Sequence, residues 1–201
     1  MELATGDLIV RMSRTKPNSG FTLMELMVTI AVLAITLAIA VPSFSGVIGN
    51  SKLRGQAGEL QAAISYARTE AIRLNRNVVF CHSNNGINCT IPPVSGWEGW
   101  LVSASTPVLA NPEIPALRTG LIAVLPMRIS SGNILGAPAA NHAILFNPQG
   151  LARTFATNAP LSDLIRVCIT SAATNPNTRE IQFNSGGRSR IVSSDNAGTC
   201  P

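Results

Sequence analysis

The feature that most constrains this chain is an apolar run near its start. Residues 19–44 read SGFTLMELMVTIAVLAITLAIAVPSF, and residues 26–41 are almost wholly apolar. With its flanks the run is long enough to cross a bilayer, which takes about 20 residues as a helix. Arg11, Arg14 and Lys16 precede it, so the positive-inside rule keeps the N-terminus in the cytoplasm and sends the remainder outward. Glu25 sits just inside the run. A carboxylate at the centre of a spanning helix costs about 2.5–3.5 kcal/mol on insertion scales. A secretory signal cut after Ala38-Ile39-Ala40 is one reading, but a charge is out of place in its apolar region. A plain anchor leaves Glu25 unexplained, unless it snorkels to the headgroups.

The hexapeptide Gly20-Phe21-Thr22-Leu23-Met24-Glu25, followed by an apolar helix, resembles the N-terminus of type IV pilins and pseudopilins. The resemblance implies cleavage between Gly20 and Phe21 by a prepilin peptidase and N-methylation of Phe21. It also implies that Glu25 pairs with the new α-amine of a neighbouring subunit during filament assembly. A buried charge left alone is expensive, and one that finds its partner sets register. On this reading residues 1–20 are a leader, with Met12 as an alternative start. Residues 21–48 form the transmembrane and polymerisation half of a spine helix, and residues 49–201 form a periplasmic domain.

Pro42 interrupts the apolar segment; we expect a kink or local melt there rather than a stop. Beyond it Leu53, Ala57, Leu60, Ile64, Ala67, Ala71 and Leu74 follow steps of four and three. That spacing predicts one stripe of an amphipathic helix continuing to about residue 76. After residue 75 the pattern changes to short runs separated by Gly, Pro and Asn. Strands are expected over 77–82, 99–103, 121–129, 143–147, 164–170, 179–184 and 189–193. Residues 105–118 and 130–141 read as loops, and 151–160 as a weak region with a hairpin turn. The expected fold is α+β: a long N-terminal helix packed on an antiparallel β-domain of two sheets, the pilin architecture.

The four cysteines are Cys81, Cys89, Cys168 and Cys200. None forms a CxxC pair, and His82 and His142 are the only imidazoles, so the chain offers no zinc site. An even count beyond a membrane-crossing segment fits disulfides in an oxidising compartment. Of the three possible pairings we prefer Cys81–Cys89, closing the loop CHSNNGINC, with Cys168–Cys200 pinning the C-terminal tail. No nucleophile elbow or phosphate loop occurs, so neither an enzyme nor a cofactor is expected. His82 is read as a loop residue and His142 as an ordinary residue opening a strand, and Trp97 and Trp100 as one core ring and one sheet-edge ring.

Further stretches narrow the resemblance. ARTEAIRLNRNVVFC (67–81), GWEGW (96–100), ILFNPQG (144–150) and GRSR (187–190) together look like the FimT/GspH family of minor pilins and pseudopilins. The cysteines and GRSR tilt it to FimT-like minor pilins. FNSGGRSRIV (183–192) reads as a hairpin whose glycines supply the turn. Arg188 and Arg190 leave it two residues apart, on one strand face and about 7 Å from each other. Two guanidiniums at that spacing can grip neighbouring phosphates. The resemblance implies more: in FimT-like proteins of transformable bacteria a Gly-Arg-x-Arg motif binds DNA, and here it falls on Gly187, Arg188 and Arg190.

Arg179 on the partner strand is expected to extend the patch, and Arg153 and Arg166 are further candidates. The competing reading is solvated charges on an exposed hairpin. No base-reading element accompanies the arginines, so contact is expected with phosphate, independent of sequence and salt-dependent. The net charge, +5 overall and +4 from Phe21 onward, suits an anionic partner without naming one. The expectation is therefore a minor pilin of a Gram-negative type IV pilus that takes up DNA, placed first in the inner membrane and then on the cell surface. The alternative is a structural priming subunit of a pilus or a type II secretion pseudopilus.

Overall fold

The computed structural model describes residues 20–93, 95–104, 116–122, 127–131, 143–155, 157–171 and 173–200. The chain forms two units, 1–40 and 41–201. A single helix, α1, runs Leu23–Leu74. Thr22 begins it by accepting the Glu25 N–H on its hydroxyl at 3.2 Å, an N-cap that satisfies one of the orphan donors of the first turn. Pro42 does not end the helix, because a proline removes one N–H and its neighbours can keep the helical ladder. In the first unit the residues of 23–40 expose their apolar side chains; the span is 18 residues with mean hydropathy 2.4.

The expected stripe is the buried face of α1 in the second unit. Leu53, Ala57, Leu60, Ile64, Ala67 and Ala71 are essentially inaccessible, and Leu74 is half-buried at the helix end. Asn75 stops the helix in the left-handed region with φ 49°. Its N–H donates to the Ile72 carbonyl and the Arg76 N–H to the Ala71 carbonyl. These two bonds are a Schellman motif, closed by one of the few non-glycine residues that tolerates that backbone.

Nine strands follow among the described residues: β1 Val78–His82, β2 Gly99–Ser103, β3 Ala116–Leu121, β4 Met127–Ser131, β5 Ala143–Phe146, β6 Ala152–Thr154, β7 Asp163–Ile169, β8 Thr178–Phe183 and β9 Ser189–Ser194. They form two antiparallel sheets, β3-β2-β1-β5-β6 and β4-β7-β8-β9. The α1 stripe, Phe80, Trp100 and Phe146 of the first sheet, and Ile129, Ile165, Ile181 and Phe183 of the second share one core. Strands β1, β2 and β5 are buried on both faces; Val79, Leu101 and Leu145 form a second cluster there with the Cys81–Cys89 disulfide. Burial on both sides is why those strands read as continuous apolar runs.

The structure corrects the expected strands, loops and tryptophan packing in four places. The strand expected over 121–129 does not exist as one element: Leu121 closes β3 in one sheet and Met127 opens β4 in the other. Part of the expected loop 105–118 is the start of β3. This edge strand faces solvent and carries Gly120 where the Trp100 ring lies across it; a Cβ there would meet the indole at 2.4 Å. Ser130 and Ser131 belong to β4, and the remainder of both expected loops, with His142, lies outside the described residues. Both tryptophan rings are core, stacked or tilted on Phe80 at 5.8 and 6.1 Å, so neither is the expected sheet-edge ring.

Candidate functional site

The β8–β9 hairpin carries Arg188 and Arg190, and its turn is held by the rest of the domain. Asn184 and Gly187 close it, the Gly187 N–H donating to the Asn184 carbonyl at 2.8 Å. Gly187 has φ 71°, and a Cβ there would meet the Gly150 carbonyl oxygen at 2.2 Å and Arg68 Nε at 3.0 Å. Glycine is required on both counts. Gly150, itself at φ 73°, offers that carbonyl to Arg68 Nε at 3.0 Å. The turn is tied further by the Ala152 N–H to the Ser185 carbonyl at 3.0 Å, and by the Gln61 side-chain amide to the Ser189 carbonyl at 3.2 Å. Thus α1, the loop before β6 and the hairpin tip meet at two glycines and one arginine.

Arg188 and Arg190 are exposed and flank one open groove of about 470 Å³, lined also by Gln182, Phe183, Asn184 and Ser189. Arg190 donates twice to Gln182 Oε1, at 3.2 and 2.9 Å, across the register pair Gln182–Arg190. The Arg188 guanidinium has no protein partner among the described residues. No carboxylate lines the groove among those residues. Glu180, one pleat along, is engaged by Arg166 at 3.1 Å and by the Gln182 amide.

Arg179 does not extend this patch. It alternates with Gln182 onto the opposite face of β8, where it is 3% exposed. Its guanidinium donates to Asn50 Oδ1 of α1 and to the carbonyls of Pro176 and Thr178. Burial, and then the nearby charge of Arg54, push it below the ordinary arginine range. Arg166 is paired with Glu180, and Arg153 lies on β6; neither lines the groove.

The disulfides are Cys81–Cys89 and Cys168–Cys200. The second anchors the tail beside the hairpin sheet, helped by Asn177, whose amide donates to the Ile169 and Thr199 carbonyls. His82 is the last residue of β1 and fully buried, not a loop residue. Its Nδ1 lies 2.8 Å from the Thr90 carbonyl, and Nε2 accepts from the Glu98 N–H at 3.3 Å. Burial lowers its pKa, opposed by the Thr90 bond and the Glu98 charge. No metal-binding cluster occurs among the described residues.

At the other end, Gly20 and Phe21 precede α1, Phe21 being 82% exposed, and Glu25 lies in the first helical turn. The Thr22-x-x-Glu25 spacing is that of a capping box, of which the bond from the Glu25 N–H to the Thr22 hydroxyl is made; the sequence reading missed this N-cap although the pattern is in plain view. Gln61, Ser65, Arg68 and Thr69 were missed as neighbours of the hairpin; Arg68 and Gly150 appear only as letters of the quoted motifs.

The family model described as "Type II transport protein GspH" matches residues 56–198, and one for the prokaryotic N-terminal methylation motif matches residues 15–41. The chain belongs to the GspH family. It is a minor pilin or pseudopilin of a type IV pilus or type II secretion system, a structural subunit and not an enzyme. Its apolar N-terminal helix and methylation motif fit a membrane-anchored precursor that later joins a filament. Among solved structures it is similar to the type IV minor pilin FimU of Pseudomonas aeruginosa, at 18% identity and TM-score 0.48, covering 70% of this chain and 92% of that one. It is also similar to the minor pseudopilin EpsH of Vibrio cholerae, at 8% identity and TM-score 0.46, covering 71% and 97%. No curated protein matches.

Proposed function

We propose that this subunit is a DNA-binding minor pilin of a type IV pilus that supports DNA uptake through the Gly187-Arg188-Ser189-Arg190 hairpin. The observation that supports this most is the pair of exposed guanidiniums on a braced turn, flanking one groove whose described lining holds no carboxylate. Bracing matters because a loop that is already ordered spends less of its binding energy on ordering. Contacts of this kind hold phosphate and read no base, as uptake of arbitrary DNA requires. The proposal includes removal of residues 1–20, methylation of Phe21 and use of Glu25 in assembly with other pilins. Residues 21–48 then serve as membrane and polymerisation segment, and 49–201 as periplasmic domain. The mass of the mature N-terminal peptide tests the processing: methylated Phe21 is expected, and a free Val41 rejects it.

The DNA test is a salt series on a fragment starting at Gly46, which keeps Asn50 for Arg179. Arg188→Ala/Arg190→Ala is expected to lose affinity while staying folded, with a salt slope smaller by roughly 2. The second reading is a structural subunit of a pilus or a secretion pseudopilus without DNA binding, and the family description fits it equally. It prevails if wild type does not bind at low salt, or if both proteins bind alike.

A further inference from the structure

A second groove, of about 340 Å³, adjoins the first and shares Arg188 and Ser189 with it. Its other wall is α1: Gln61, Ser65, Arg68 and Thr69. The donor chemistry is one-sided. Arg68 spends Nε on the Gly150 carbonyl, and its remaining N–H groups have no partner among the described residues. Gln61 spends one amide hydrogen on the Ser189 carbonyl. The Thr69 hydroxyl donates to the Ser65 carbonyl, so of the two hydroxyls the one on Ser65 is available to donate. No carboxylate lines this groove among the described residues.

An arginine held by Nε keeps its planar fork in one orientation, and an oriented fork suits a phosphate. We propose that Arg68 is a third phosphate contact, so that a phosphodiester backbone passes from Arg190 over Arg188 onto the helix face at Ser65 and Thr69. This rests on the DNA reading above and extends the interface from the hairpin to α1. The bland role of Arg68, bracing Gly150 and Gly187, is compatible with it, so the test must separate charge from bracing.

The experiment uses the full chain in mild detergent, with a short random-sequence duplex and one of its strands as probes across a salt series. Thr69→Glu puts a carboxylate in the groove at an exposed position without touching the Arg68–Gly150 bond. Ile87→Glu, in the Cys81–Cys89 loop and lining neither groove, makes the same change in net charge. Thr69→Glu is expected to bind about tenfold more weakly than Ile87→Glu at low salt. Arg68→Gln is expected to lower the salt slope by about 1, and Arg68→Lys to restore it. Equal binding by Thr69→Glu and Ile87→Glu overturns the proposal, as does an unchanged slope in folded Arg68→Gln. If Arg68→Gln does not fold, the two glutamate variants decide. Loss of binding in Arg188→Ala/Arg190→Ala alongside normal Thr69→Glu and Arg68→Gln rejects the α1 contact alone. No binding by wild type overturns both it and the DNA reading.

Discussion

The two stretches of α1 share one backbone conformation and differ in where their side chains find partners. Residues 23–40 expose leucine, isoleucine and valine all round, whereas Leu53, Leu60 and Ile64 are inaccessible beneath two sheets. Helix formation is therefore not what distinguishes them. The later stretch alternates apolar and polar residues at helical spacing and is complete within its own chain. The earlier one has no polar face, and its solvent must be lipid or other subunits. The same division separates Arg179, buried on Asn50, from Arg188, whose guanidinium points at no described protein group. Groups with internal partners carry stability, and groups without them are available for contacts outside.

The sharpest way to break that comparison is to truncate one side chain in each stretch of the full chain in detergent, following unfolding by the buried Trp97 and Trp100. Ile64→Ala is expected to cost about 2–5 kcal/mol. Leu33→Ala is expected to leave domain unfolding within about 0.5 kcal/mol; a loss comparable to that of Ile64→Ala ends the distinction. Glycine gives the next contrast. Gly187→Ala is expected to destabilise by about 1–3 kcal/mol, since it needs positive φ and collides with the Gly150 carbonyl. Gly55→Ala, on the open face of α1 with nothing within 4 Å, is expected to stabilise by about 0.5–1 kcal/mol. Equal signs in the two melts contradict the close approach at the hairpin.

The smallest effect concerns pH. His82 is held neutral by burial, with its pKa below the ordinary value of 6.5. Protons therefore bind the unfolded chain first, and stability falls as pH drops from about 6.5 toward the folded pKa. Denaturation midpoints between pH 7.5 and 5.5 should show that slope in His142→Asn and lose it in His82→Gln. A slope that survives in His82→Gln assigns it to another group.

Much of this molecule can be read from one-dimensional pattern. The α1 stripe, the Asn75 stop, strand β2 and the β8–β9 hairpin are local features whose period or turn residues declare them. The N-cap at Thr22 is equally local, but a filament role for Glu25 draws attention away from it. Strand β3 is not legible, because an exposed edge strand with a glycine carries no apolar alternation.

The linear pattern alone yields the membrane-length helix, the methylation motif, the amphipathic continuation and a hairpin bearing two arginines. Which charges share a surface follows from the folded packing. Strand parity and register turned Arg179 inward and left Arg190 outside. Sheet packing brought Gly150 and Gly187 onto Arg68, 82 residues before the carbonyl that it holds. Periodicity is short-ranged and survives in a linear reading. A contact between distant segments depends on how whole sheets close over one core, and no local pattern of residues encodes that by itself.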